Sequence, residues 1–220
     1  MASAFLFSAC SEEVEQIVAL EGVPFVREGI IDTTLVVIHE STDFCDWKSA
    51  YKTVSADFKA NGLTKIAHYK GFLDTNLVVS VYGVDDLEKA NAYIDSDKAW
   101  KTMQQVAKED GIRFLLLDQS LAYTEPADDS IFHLMSFKTL KYDRWEEAFL
   151  KDYQDDPEHE FAVTNVFRGV ENDNHIYMFF RVNDPMYVEK MEKNNALKMK
   201  MLAAGVISYP ETYNLMDVSL

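Results

Sequence analysis

The stretch Gly71 to Asp86, GFLDTNLVVSVYGVDD, has a counterpart 98 residues further on, Gly169 to Asp184, GVENDNHIYMFFRVND. Each copy reads strand, tight turn, strand, helix start. The same offset carries Trp47, Ala50 and Tyr51 onto Trp145, Ala148 and Phe149, and Asn76, Val84, Asp86 and Met103 onto Asn174, Val182, Asp184 and Met201. The match runs without gaps from about residue 37 to 103 and then fades. A unit of this length is too long for a solenoid repeat and suits a duplicated small domain. Two like units must therefore fold and then cover one another.

Within the first unit, Thr34 to His39 is a continuous apolar and β-branched run, the mark of a buried strand. Ser41, Thr42 and Asp43 offer N-caps, and Trp47, Tyr51, Val54 and Phe58 follow at helical spacing. Asn61-Gly62 ends that helix. Thr64 to Phe72 and Asn76 to Tyr82 form a hairpin around Asp74-Thr75. A helical region in two pieces starts at Asp85-Asp86, and Ile112 to Leu117 is the fourth strand. The second unit repeats this order through strand Ile131 to Phe137, helix Tyr142 to Tyr153, hairpin Phe161 to Arg168 with His175 to Val182, and helical region Pro185 to Leu202. It ends in a strand Val206 to Asp217, interrupted at Pro210. The expected organisation is an N-terminal extension over 1–32, a first repeat over 33–123, a polar linker over 124–130 and a second repeat over 131–220. Residues 11–21 read as a short amphipathic helix, Phe25 to Asp32 as a connector, and the extension as a whole as packed on the first repeat.

The order β-α-β-β-α-β is the ferredoxin-like motif, a sheet with helices on one face only. Here the strands are apolar on both parities: Leu77, Val79 and Val81 on one, Val78 and Tyr82 on the other. An exposed antiparallel face would alternate with polar residues instead. The fold class is therefore α+β, with two antiparallel sheets packed face to face inside one chain. The WKSAY and WEEAF helix openings, the segment GFLDTNLVVSVYGVDDLEKANAYIDS and the ending LKMKMLAAGVISYPETYNLM together resemble the dimeric α/β-barrel superfamily. That group holds antibiotic-biosynthesis monooxygenases and polyketide cyclases. The resemblance covers about residues 33 to 220 and implies a fused, single-chain version of a barrel usually built from two chains. It also implies ligands between sheet and helices, and it admits haem by analogy alone.

Acidic residues outnumber basic ones, 37 to 21, for a net charge of −16, which repels nucleic acid and anionic membranes. The two cysteines, Cys10 and Cys45, make no disulfide framework and fit a reducing, cytoplasmic setting. The start MASAFLFSAC resembles the end of a bacterial lipoprotein signal anchored through Cys10, but no Lys or Arg precedes it. No apolar run is long enough to span a bilayer. No GxGxxG, Walker A, GxSxG or HExxH pattern occurs, so no nucleotide cofactor and no metal site is expected.

Candidate chemistry follows from hairpin register. If Phe72 pairs with Asn76, His68 lies opposite Ser80 and Ile66 opposite Tyr82. Opposed residues share a face. His68, Lys70, Ser80 and Tyr82 then cluster, whereas Val166, Arg168, Met178 and Phe180 of the second repeat are largely apolar. The first repeat is expected to keep the working pocket and the second to be a structural copy. His68 and Tyr82 are the candidate catalytic pair, for general acid–base work near neutral pH. His39, Lys70, Ser80 and Trp47 are the candidate ligand-binding residues, although Trp47 and Trp145 at matching helix starts read more simply as core. His133 and His175 sit in strands of unassigned parity, and His159 in a loop. Met191, Met199 and Met201 read as core or pocket lining.

Three functions fit: an enzyme working on a small apolar, aromatic or polyketide-like compound by cofactor-independent oxygenation or cyclisation; a binding module for such a compound; or a structural protein with filled cores. The expected partner is a small apolar molecule, with a homodimer of pseudo-dimers as a further assembly.

Overall fold

The computed structural model of the protein describes residues 18–19, 25–27, 33–108, 111–123, 131–155, 161–182, 184 and 186–218. Cys10, His159, Pro185 and the 124–130 linker lie outside the described residues.

After the short strands β1 (Val18–Ala19) and β2 (Phe25–Arg27), the first half comprises β3 (Thr33–Glu40), α1 (Phe44–Ala60), β4 (Leu63–Gly71), β5 (Leu77–Val84), α2 (Leu87–Ile94), α3 (Asp97–Met103) and β6 (Arg113–Tyr123). The second half repeats the order as β7 (Ile131–Lys138), α4 (Tyr142–Asp155), β8 (Phe161–Gly169), β9 (His175–Val182), α5 (Tyr187–Lys193), α6 (Asn195–Ala203) and β10 (Glu211–Asp217). All strand pairings are antiparallel. The ring β6-β3-β5-β4-β10-β7-β9-β8 closes on itself through β6–β8, giving an eight-stranded barrel inside one chain. Closure removes the open sheet edges that otherwise invite pairing between chains.

The two seams that join the halves obey the sequence offset. Gly71, Lys70 and Tyr69 of β4 face Leu215, Met216 and Asp217 of β10. Adding 98 to the first set, and taking 98 from the second, gives the other seam: Gly169, Arg168 and Phe167 against Leu117, Asp118 and Gln119. The hairpin bulges also correspond, one between Lys65 and Ala67 and one between Val163 and Asn165.

Strand alternation divides the apolar residues into three cores. Val36, Ile38, Val79, Val81, Leu117, Leu134, Phe167, Tyr177, Phe179 and Leu215 fill the barrel interior. Opposite-parity residues, with Trp47, Tyr51, Val54 and Phe58 of α1, form the sheet–helix core of the first half. A third core, around Trp145 and Tyr153 of α4, does the same in the second half. Asp43 caps α1 by accepting hydrogen bonds from the backbone N–H groups of Cys45 and Asp46.

The N-terminal extension departs from expectation. Val18–Ala19 is a strand, paired with Val26 and Arg27, where a helix was expected. Phe25 belongs to a strand added beside β6, not to a connector. Its ring packs on Phe149 and Tyr153 of α4, so this part of the extension covers the second half rather than the first. The reason is geometric: β6 runs on past β3 along the seam with β8, and a strand added there lands beside α4. No helix among the described residues is long and apolar enough to cross a membrane.

Candidate functional site

The expected register of the first hairpin holds at its centre. His68 lies opposite Ser80, and His68 Nδ1 and Ser80 Oγ share a hydrogen bond of 2.9 Å. It fails at Ile66. The bulge places Lys65 opposite Tyr82 and turns Ile66 outward, where it is 59% exposed. One inserted residue restores the alternation on either side. His68, Ser80 and Tyr82 therefore still share the helix-facing side, and all are buried.

The aromatic stripe of α1 closes over this patch. The Tyr51 ring meets His68 edge-on at 4.3 Å, Trp47 meets it edge-on at 5.3 Å, and Tyr82 stands 6.0 Å away. His39 is buried 6.3 Å from Trp47. Lys70 stays at the rim, its ammonium 5.5 Å from the centre of the Phe44 ring. All six residues expected from sequence thus lie in one neighbourhood, and Tyr51 joins them.

This interior is buried and electrostatically demanding. Burial pushes His68 down to about 3, helped by the nearby Lys65 charge and by His39. Burial pushes His39 down to about 4, opposed by a hydrogen bond that its ring donates to the Glu40 backbone. Both imidazoles are neutral at pH 7. Burial raises the Tyr82 hydroxyl far above its ordinary range, and proximity to Tyr51 adds to this. Two ring nitrogens here are buried without a hydrogen-bond partner, His68 Nε2 and His39 Nδ1, and the Tyr51 hydroxyl, beside Tyr82, has no acceptor for its hydrogen. An unsatisfied buried polar group costs roughly 1–3 kcal/mol, so each marks a place where a ligand atom or water is favoured. A groove of about 880 Å3 runs along the outer flank of α1 and reaches Tyr51 and Tyr82. His68 lies behind them.

In the second half the same positions are apolar. Phe137, Phe149, Val166, Met178 and Phe180 replace His39, Tyr51, His68, Ser80 and Tyr82. Yet this half has open space between its sheet and its helices, where a structural copy with a filled core was expected. A cavity of about 530 Å3 opens between sheet and helices, lined by Met135, Phe137, Trp145, Phe149, Met178, Phe180 and Met201, with Lys151, Asp152, Asp155 and Lys200 also on its wall. A smaller space of about 310 Å3 shares Met191, Leu197 and Met201 with it. The cavity exists because α6 buries none of its residues, whereas the matching α3 buries Ala99, Thr102 and Met103. Met191 and Met201 line it as expected, but Met199 is 65% exposed.

His133 also faces the helices. Its Nδ1 donates to Asn214 Oδ1 at 2.8 Å, its ring stacks on Phe180 at 5.1 Å, and its Nε2 is unpartnered. No histidine lines the cavity among the described residues. No group of three potential metal ligands occurs among the described residues. Sequence reasoning missed Tyr51 as a polar site residue, the orphan nitrogen of His133 and the second-half cavity. A stripe of small residues and lysines along α1 (Cys45, Lys48, Ser49, Lys52, Ala56, Lys59) was the one available signal for the groove.

No family model and no curated protein matches the chain. Solved structures do. An anthrone oxidase-like protein matches 89% of this chain and 95% of its own length at 10% identity, with a TM-score of 0.60. A protein described as a "putative monooxygenase" from Lactobacillus acidophilus matches 84% and 94% at 14% identity and 0.52. A "Putative Chlorite dismutase" matches 86% and 95% at 10% identity and 0.52. The fold is the dimeric α/β-barrel type, here closed within a single chain. At these identities the likeness speaks for the fold.

Proposed function

We propose that the chain binds a small apolar, aromatic compound in the sheet–helix cavity of its second half. The observation that carries this reading is the cavity wall: methionines, phenylalanines and a tryptophan around about 530 Å3 of space. That volume lies in the range of small-molecule sites, and adaptable methionines suit an irregular aromatic guest. Among the described residues the wall offers no histidine, cysteine or serine, and its apolar lining supports binding. The test uses anthrone under nitrogen, a tricyclic aromatic chosen from the name of one structural neighbour. Anthrone should raise the melting temperature, and Ala148→Phe, which fills the cavity, should abolish the shift. No shift, or the same shift in Ala148→Phe, would refute the reading.

A second reading places chemistry in the first half, with His68 and Tyr82 as the catalytic pair and His39, Lys70, Ser80 and Trp47 around the substrate. The unpartnered His68 Nε2 supports it. A histidine held at about 3 is a poor proton acceptor at pH 7, however. The reading therefore requires an anionic substrate beside the ring, which would raise its proton affinity. Cofactor-independent oxygenation and cyclisation both fit, since each begins with proton removal from a phenol or an activated carbon. His68→Gln with retained binding and lost turnover would establish it; unchanged turnover would dismiss it.

A further inference from the structure

We propose that the groove on the outer flank of α1 is a second binding site, and that it takes a small aromatic anion such as an arylcarboxylate or phenolate. This site is separate from the second-half cavity and stands or falls on its own.

Charge is the first argument. Of the twelve described residues lining the groove, four are lysines (Lys48, Lys52, Lys59 and Lys65) and none is acidic. The chain as a whole carries 37 acids against 21 bases. A basic strip on so acidic a protein focuses anions toward itself. The fold does not impose the strip, because the counterparts of Lys48, Ser49 and Lys65 in the second half are Glu146, Glu147 and Val163.

The second argument is an orphan donor. Tyr51 lines the groove, is 7% exposed, and has its hydroxyl buried beside that of Tyr82, with no acceptor for its own hydrogen. A phenol left so at the inner end of a lysine-lined groove is suited to donate to an anionic oxygen, and charge-assisted hydrogen bonds are the strong ones.

In the second half, the counterparts of Tyr51 and Ser55 are Phe149 and Tyr153, and the Phe25 ring lies against both, at 5.6 and 4.9 Å between centres. Phe25 is 1% exposed there. An aromatic ring is thus accommodated at this place in the fold. In the first half the equivalent place is open groove, with Tyr51, Tyr82 and Leu63 to receive a ring and lysines to meet its charge.

The test compares 2-naphthoate with its neutral amide, 2-naphthamide, by calorimetric titration at low and high salt. Backbone amide shifts locate the site. Naphthoate should bind more tightly than the amide, lose affinity with salt, and move resonances in residues 45–65. The triple variant Lys52→Gln/Lys59→Gln/Lys65→Gln should weaken naphthoate roughly tenfold, as expected for three partly exposed ion pairs, and leave the amide unchanged. Ser55→Trp, which occupies the groove from its rim, should block both probes. Ala148→Phe should leave naphthoate binding intact, which separates this site from the cavity. All these substitutions lie at exposed or half-buried positions, and a melting curve checks that each variant folds. Equal affinity for the two probes, shifts confined to the second half, or no heat at millimolar naphthoate would overturn the proposal.

Discussion

Asp57 on α1 and Asp155 on α4 occupy matching positions, and Asp57 is surrounded by donors from the two helices that follow it. Asp57 accepts hydrogen bonds from Tyr93 of α2 at 2.9 Å, from Thr102 of α3 at 2.8 Å, and from Lys98. Burial alone would raise its carboxyl; the Lys98, Thr102 and Tyr93 bonds outweigh that and hold it below the ordinary range. This clasp draws α2 and α3 down onto α1. The counterparts of Tyr93, Lys98 and Thr102 are Met191, Ala196 and Lys200, and the first two have no side-chain hydrogen to donate. Lys200 pairs instead with Asp152 on the cavity wall. The same frame thus closes in one half and stays open in the other. The difference lies in three donors around one carboxylate, not in the sheet.

That contrast can be broken from either side. Met103 and Met201 are the same residue at matching positions, one 3% exposed in a filled core and one lining a cavity. Met103→Ala should cost about 2–4 kcal/mol in denaturant unfolding and Met201→Ala no more than about 1, because the second site has space already. Equal costs would mean that the halves are packed alike. Asp57→Ala should cost about 2–3 kcal/mol, and it should also raise binding of a hydrophobic dye as the first half opens. Stability loss without added dye binding would remove the clasp as the cause of closure.

The third expectation is a pH effect confined to the first half. His39 and His68 are held near 4 and 3 in the folded chain, against about 6.5 when unfolded. Between those values the unfolded chain binds more protons. Stability therefore rises with pH through this window and falls on acidification from pH 7 to 5, by about 1–2 kcal/mol for each histidine. His39→Gln/His68→Gln should flatten that slope in urea titrations. An unchanged slope would show that neither ring is held neutral.

Much of the frame was readable from the chain. The 98-residue offset, the Trp-led helices and the apolar strands of both parities point to two sheets packed together, and the seam register extends the offset to Leu117 and Leu215, beyond where sequence similarity fades. The His68–Ser80 pairing was readable because hairpin register follows from the turn. The bulge at Ile66 was not. Gly83, a residue type that often marks a bulge, lies on the partner strand, but the second half bulges equally with Arg181 in that place, so no residue type announces it. The cavity was hidden for a different reason. Whether α3 packs down depends on donors from α2 and α3 meeting one carboxylate on α1, and positions so far apart in sequence do not show themselves as a set.

The most direct measurement is a crystal structure under xenon pressure, since xenon enters apolar space without needing a chemical handle. Density is expected among Met135, Phe137, Met178, Phe180 and Met201, with none between α1 and the first-half sheet. Xenon beside Trp47 and His68, or in neither half, would contradict the account of one closed half and one open half.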